Sequence, residues 1–324
     1  MRLEQIGFYT LSDRRASVAN EETPLSRCEL ILTGRCNFSC PYCRHIGGRD
    51  MSLQSAFDTV DLWVQNGLKA IRFSGGEPTI YPHLAKLVSF AKTSGIEKIA
   101  VSTNGSASLD YYKRLIECGV NDFSISLDAC CAEDGDKMAG GVKGAWETVV
   151  KNIYELSKLT YVTVGVVLTS TNLHSVNDIV IYASGLGVQD IRIIPAAQDG
   201  DRLRDVKIDE SLLNKHPILA YRIRNIQRGL PVRGITESDS RRCGLVLDDV
   251  AVMGEEHFPC IIYMREGGQP IGRIGKNMRK ERSDWYKKHN TGTDPICKKN
   301  CLDVCVQYNN AFQNTNPEAR LVGL

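Results

Sequence analysis

The 324-residue chain is 42% hydrophobic and 24% charged, with a net charge of +2. These are ordinary values for a globular protein, and near-neutrality disfavours a polyanionic partner such as nucleic acid. No uninterrupted apolar stretch is long enough to cross a membrane, and Met1–Ala19 lacks the apolar run of a secretory signal. The twelve cysteines are clustered, which in a chain without an export signal reads as metal ligation in a reducing cytoplasm.

Residues 1–27 read as a lead-in, too short to bury a core of their own. From Cys28 onward strands and helices alternate. Strands are expected at 28–33, 69–73, 98–102, 122–127, 161–168 and 190–194. Helices are expected at 52–66, 83–93, 109–118, 145–156 and 172–184, from apolar residues at helical spacing. Six such repeats imply a parallel sheet with helices outside it. A closed eight-stranded barrel takes about 250 residues, more than 28–200 offer, so the expectation is an α/β fold: a partial (β/α)6 TIM-like barrel. In such a fold the chemistry sits at the C-terminal ends of the strands. Residues 201–240 read as a bridge with a helix at 218–227, 241–310 as a small cysteine-rich extension, and 311–324 as a tail.

The loop after the first strand holds Cys36, Cys40 and Cys43. Gly34 and Pro41 argue against a helix there, so three thiols share one concave loop. Thiolate clusters hold soft metals and iron–sulfur centres, and three ligands leave one iron of a four-iron cluster open. Other strand ends carry Gly75-Gly76-Glu77-Pro78, Ser102-Thr103-Asn104, and Ser126 with Asp128.

The C-x3-C-x2-C spacing, with Tyr42 before the last thiol and the Gly-Gly-Glu-Pro stretch after strand two, resembles the radical S-adenosylmethionine (SAM) enzymes. The resemblance implies the same open barrel, a [4Fe–4S] cluster on Cys36, Cys40 and Cys43, and SAM on the open iron. It implies that Phe38 and Tyr42 pack over the cluster and adenine. Gly75, Gly76, Glu77 and Pro78 would form the methionine-binding segment. Ser102, Thr103, Asn104, Ser126 and Asp128 would reach the carboxylate and ribose, although Ser or Asp can equally cap a following helix. Val166, Leu168 and Ile193 or Ile194 would line the adenine pocket, if they do not simply fill the core. A reductant such as flavodoxin or ferredoxin is implied. Cys130 and Cys131, just past Asp128, depart from the family pattern. They are read as catalytic thiols able to give a hydrogen atom to a substrate radical, against burial as small hydrophobes.

Cys243, Cys260, Cys297, Cys301 and Cys305 suggest a second metal centre. Cys243 and Cys260 flank a hairpin-like stretch containing Gly254. The last three recur every four residues, as along one side of a helix, with Asp294-Pro295 marking its start. The pattern resembles a shortened SPASM or twitch extension, implying one auxiliary [4Fe–4S] cluster, with zinc as the other option. The substrate would be a peptide or a small molecule. Thr33-Gly34-Arg35-Cys36-Asn37-Phe38 also resembles the molybdopterin-precursor cyclases, although the C-terminal cysteine spacing differs. A nucleotide- or RNA-modifying enzyme of the same superfamily is a further option. An iron–sulfur electron carrier or sensor is the reading from another class, and it leaves the SAM-type strand ends without a purpose.

Overall fold

The computed structural model describes residues 13–197 and 206–316. The first twelve residues of the lead-in, 198–205 around the start of the bridge and the last eight of the tail lie outside them. A short helix α1 (Asp13–Val18) precedes strand β1 (Arg27–Thr33), helix α2 (Leu53–Gln65), β2 (Ala70–Gly75), α3 (Leu84–Thr93) and β3 (Lys98–Thr103). Then come α4 (Leu109–Cys118), β4 (Asp122–Ser126), α5 (Ala132–Met138), α6 (Ala145–Leu156), β5 (Tyr161–Leu168), α7 (Val176–Gly185) and β6 (Asp190–Pro195). All neighbours from β1 to β6 pair in parallel and in sequence order. The sheet is an open, partial TIM-like barrel.

These strands are apolar runs because both sheet faces are covered. Ile71, Phe73, Ile99, Val101, Phe123, Ile125, Val162, Val164, Ile191 and Ile193 are all at most 1% exposed and belong to one core. The helices bury one stripe against it. In α4, for example, Tyr112 and Leu115 face inward and the Ser108 hydroxyl caps the start by accepting from Tyr111 N.

The C-terminal third does not form a separate layer. After α8 (Glu210–Lys215) and α9 (Pro217–Gln227), strand β7 (Asp249–Met253) joins the sheet beside β1, in parallel. The expected hairpin follows: β8 (Glu256–Phe258) and then β9 (Gly272–Arg273) extend the sheet antiparallel. Helices α10 (Ile261–Arg265), α11 (Met278–Lys288), α12 (Pro295–Asn300) and α13 (Asp303–Thr315) complete the chain. The helix α13 runs through the boundary expected at 310. Its Tyr308 and Phe312 pack on Ala16 and Ala19 of the N-terminal segment.

A buried arginine fastens this region to the sheet. Arg282 is 0% exposed and donates to the carbonyls of Val246 (2.8 Å) and Phe258 (3.0 Å), and to Asp249 O. His257 Nδ1 lies 3.1 Å from the same guanidinium, so the imidazole accepts there and donates through Nε2 to Glu281 at 2.8 Å.

Candidate active site

The cysteine loop leaves β1 as irregular chain, as Gly34 and Pro41 require. Its path is set by β2. The amides of Gly76 and Glu77 donate to Thr33 O and Arg35 O, each at 2.8 Å. A Cβ on Gly76 would sit 2.1 Å from Arg35 O, and one on Gly75 (φ +156°) 2.4 Å from Thr33 O. The glycine pair therefore admits the backbone of the thiol loop on the side away from the cavity it also borders.

Glu77 is fully buried and its carboxylate is held by protein donors. It accepts from Thr79 N (3.0 Å), Thr79 Oγ1 (2.7 Å), Thr103 Oγ1 (2.7 Å) and Asn104 N (2.6 Å). Burial raises its pKa while these donors pull it down. A side chain with four protein donors, three on Oε1 and one on Oε2, braces the ends of β2 and β3. Thr103 is likewise occupied, by Glu77 and by Tyr112 Oη at 3.0 Å. Asn104 reaches the thiol loop: its Nδ2 donates to Asn37 Oδ1 (2.8 Å) and lies 3.8 Å from Cys36 Sγ. Pro78 is buried at the start of a short 3-10 turn.

Above the strand ends lies a cavity of about 400 Å³. Cys36, Cys40 and Cys43 border it, with Gly75, Gly76, Ser102, Thr103, Asn104, Ser126 and Asp128. Phe38 and Tyr42 border it too. Tyr42 Oη donates to Asp128 Oδ2, and Asp128 Oδ1 accepts from Val167 N at 2.6 Å. Burial pushes Asp128 up to about 6. Burial also raises the Cys36 thiol, and Cys40 to about 12. Such thiols ionise only beside a positive charge, as a metal centre supplies. Phe38 N, 3.4 Å from Cys36 Sγ, is oriented as a donor to a ligating sulfur. The donor set thus fits a cluster held by three thiolates.

Five of the expected positions lie away from the cavity, by register or by position. Val166, Leu168 and Ile193 lie in the hydrophobic core, and their neighbours Val167 and Ile194 face the cavity. Side chains alternate along a strand, so a one-residue error in facing inverts the set. Cys130 and Cys131 do not border the cavity either. Beyond Asp128 the chain turns outward: Cys130 packs on the outer core, and exposed Cys131 precedes α5 with its thiol 3.3 Å from Asp134 Oδ2.

Five arginines escaped the sequence reading: Arg27, Arg72, Arg192, Arg233 and Arg265 all border the cavity. The acids bordering it are Glu29, Asp128 and Asp249. A charge in the middle of an apolar strand, as in Ala70-Ile71-Arg72-Phe73, was the available signal. Arg265 also donates to Ser74 Oγ (3.3 Å), and Arg44 pairs with Glu266 at 2.9 Å, so α10 touches both β2 and the thiol loop.

All five C-terminal thiols border one smaller cavity, beside Tyr263 and Trp285. They do not share one helix. Asp294 caps α12 as expected, accepting from Ile296 N and Cys297 N, but the helix stops at Cys301, whose ψ of 129° is extended, and α13 starts afresh. Cys260 and Cys305 border both cavities. Amide groups again point at sulfur: Tyr263 N at Cys260 (3.4 Å) and Asn309 Nδ2 at Cys243 (3.7 Å). Burial raises Cys243 to about 11 and lifts Cys260 and Cys297 further. His45 is exposed on the thiol loop, and His257 is occupied in the Arg282 cluster.

An open parallel barrel with a three-thiol loop at its strand ends defines a class of cluster-dependent enzymes. Residues 30–182 match the Radical SAM superfamily, so the chain carries a radical SAM domain. The family implies a [4Fe–4S] cluster and SAM.

Among curated proteins, the chain is 27% identical over 179 residues to the probable GTP 3′,8-cyclase of Metallosphaera sedula. That match covers 53% of this chain and 56% of the relative, so the chain spans little more than half of that protein. A probable GTP 3′,8-cyclase of Methanococcus maripaludis is 27% identical over 290 residues, covering 83% and 95%. Among solved structures, anSMEcpe bound to AdoMet and a peptide superposes with a TM-score of 0.58 at 16% identity, covering 92% of this chain and 99% of that one. Streptococcus suis SuiB gives 0.56 at 15% identity, covering 85% and 67%. These two likenesses are of fold. Among the described residues no helix is long and apolar enough to cross a membrane.

Proposed function

We propose that this radical SAM enzyme acts on a small anionic molecule, with a second iron–sulfur centre on the C-terminal thiols. Cys36, Cys40 and Cys43 would hold a [4Fe–4S] cluster with one iron open to SAM, and the pair would supply one-electron, hydrogen-abstracting radical chemistry. The chain's own residues bind, orient and exclude water. Glu77 holds the ends of β2 and β3 in place. Ser102 and Ser126 offer hydroxyls to the ligand, Val167 and Ile194 an apolar wall, and Phe38 shields the cluster loop. The Tyr42–Asp128 pair fixes the last turn of that loop over the cavity.

The observation that carries the substrate class is the arginine lining. Five guanidiniums border the cavity against three carboxyls; Arg27 pairs with Asp249 and Asp122 lies beside Arg72 and Arg192, and Arg233 and Arg265 add positive charge suited to phosphate or carboxylate. The relatives named as probable GTP 3′,8-cyclases support a phosphorylated nucleotide as one member of that class. A peptide substrate has only the fold likeness behind it. The second centre rests on the convergence of five thiols, four of which satisfy a cluster, in the manner of a twitch-type extension.

The test is anaerobic reconstitution with iron and sulfide, then dithionite and SAM, with 5′-deoxyadenosine measured against a panel of nucleoside triphosphates. About eight irons per chain and stimulation by a phosphorylated compound are expected, with Arg192→Gln raising KM about tenfold. An intact cluster that yields no 5′-deoxyadenosine under any condition points instead to an electron carrier.

A further inference from the structure

Outside the site just described, one titratable group stands beside the second thiol cavity in a built environment. His289 lies at the C-terminal end of α11. Its ring stacks on Trp285 at 3.9 Å between centroids and 15° between planes, and meets the edge of Tyr263 at 6.0 Å. Its backbone is held at both ends: N donates to Trp285 O (2.8 Å), and O accepts from Arg242 Nη1 (2.9 Å). Nε2 points at Cys297 Sγ, 3.9 Å away, with Asp294 Oδ2 at 3.5 Å. Asp294 is itself fixed. Its Oδ1 accepts from Ile296 N and Cys297 N, and its Oδ2 faces Tyr263 Oη at 3.2 Å.

We propose that His289 is a positioning residue of the second centre, donating Nε2–H to the sulfur of Cys297 and setting the centre's reduction potential. This rests on the second iron–sulfur centre proposed above. A reduced cluster carries more negative charge on its sulfurs than an oxidised one. A fixed N–H aimed at a ligating sulfur therefore stabilises the reduced form and raises the potential. The other close amides, from Tyr263 to Cys260 and Asn309 to Cys243, do the same for two further thiols. Asn309 also accepts from Leu245 N, so of the two side-chain donors His289 is the one whose removal leaves the backbone hydrogen bonds in place. Three ligand-type atoms of His289, Asp294 and Cys297 lie within 4.8 Å of one another, close enough for direct metal binding as well. The commitment of Asp294 to the start of α12 and to Tyr263 favours the hydrogen-bonding role.

The experiment compares the full reconstituted chain with His289→Phe, which keeps a ring on Trp285 and loses the donor, and with His289→Gln, which keeps an N–H. Iron and sulfide are measured in each. The cluster signal that SAM does not perturb is then titrated against potential. Unchanged metal content is expected in all three proteins. At a potential that half-reduces the wild-type centre, His289→Phe should show a reduced-to-oxidised ratio about tenfold lower, a midpoint about 59 mV more negative for a one-electron couple. His289→Gln should recover part of it. An unshifted midpoint in His289→Phe overturns the proposal. So does loss of the second centre in both variants with the wild type intact, which makes His289 a ligand. About four irons in the wild type removes the second centre itself, and this role with it.

Discussion

The carboxylate of Glu77 accepts the backbone N–H of Asn104 at 2.6 Å, tying the end of β2 to the end of β3 beneath the thiol loop. Because the other oxygen of the same carboxylate accepts from Thr79 N, a Glu77→Gln amide must turn an N–H towards one of these two backbone donors. A buried donor left unpaired costs about 1–3 kcal/mol. Glu77→Gln should lower the thermal midpoint and weaken SAM binding about tenfold or more, read from the SAM-induced change in the first cluster's spectrum. Retained SAM affinity would show that the loop holds its shape without this brace.

Val166 and Val167 are neighbours on β5 with opposite duties. Val166→Ala removes two methyl groups from the core and should destabilise by about 2 kcal/mol with little effect on ligand binding. Val167→Phe intrudes on the cavity and should raise the Kd for SAM or substrate while leaving the denaturation midpoint nearly unchanged. Paired denaturation and binding measurements distinguish the two.

The thiols divide in the same way. Cys243→Ala, Cys260→Ala or Cys297→Ala should each reduce iron content from about eight per chain towards four, because one missing ligand leaves a cluster open to loss. Cys130→Ala and Cys131→Ala should leave both iron content and 5′-deoxyadenosine formation unchanged. A loss of turnover in either would restore the catalytic role that their outward position argues against.

Asp190 joins β6 to the start of α9, accepting from Ile218 N at 2.9 Å, and its burial raises its pKa to about 7. The unfolded value is near 3.9, so between about pH 4 and 7 the folded state binds the extra proton. Its stabilising share is therefore complete below the unfolded value and is lost as pH rises through 7. The wild-type thermal midpoint should fall from pH 5 to pH 8 relative to Asp190→Asn, which stays neutral throughout. Parallel pH profiles of the two proteins would remove Asp190 as the cause.

The six strands of the barrel were legible because each is a short apolar run followed by a turn and a helical period. The thiol loop was legible because Gly34 and Pro41 break any helix there. The facing of β5 and β6 was not. Both sides of those strands are buried, so no alternation marks which residue meets the cavity. The arginines were passed over for a related reason: a charge on a buried strand becomes informative only when the space it faces is known.

Cys130 and Cys131 follow the strand end by so few residues that sequence places them at the mouth, yet one backbone turn carries them outside. The four-residue rhythm of Cys297, Cys301 and Cys305 suggested one helix, and the extended backbone at Cys301 splits it into two. Local order, from the strand and helix periods to the first thiol loop, was written in the chain, because neighbouring residues dictate it. The meeting of the C-terminal thiols and of Arg233 and Arg265 with the barrel came with β7 joining the sheet beside β1, a contact between residues far apart in sequence that no local pattern encodes.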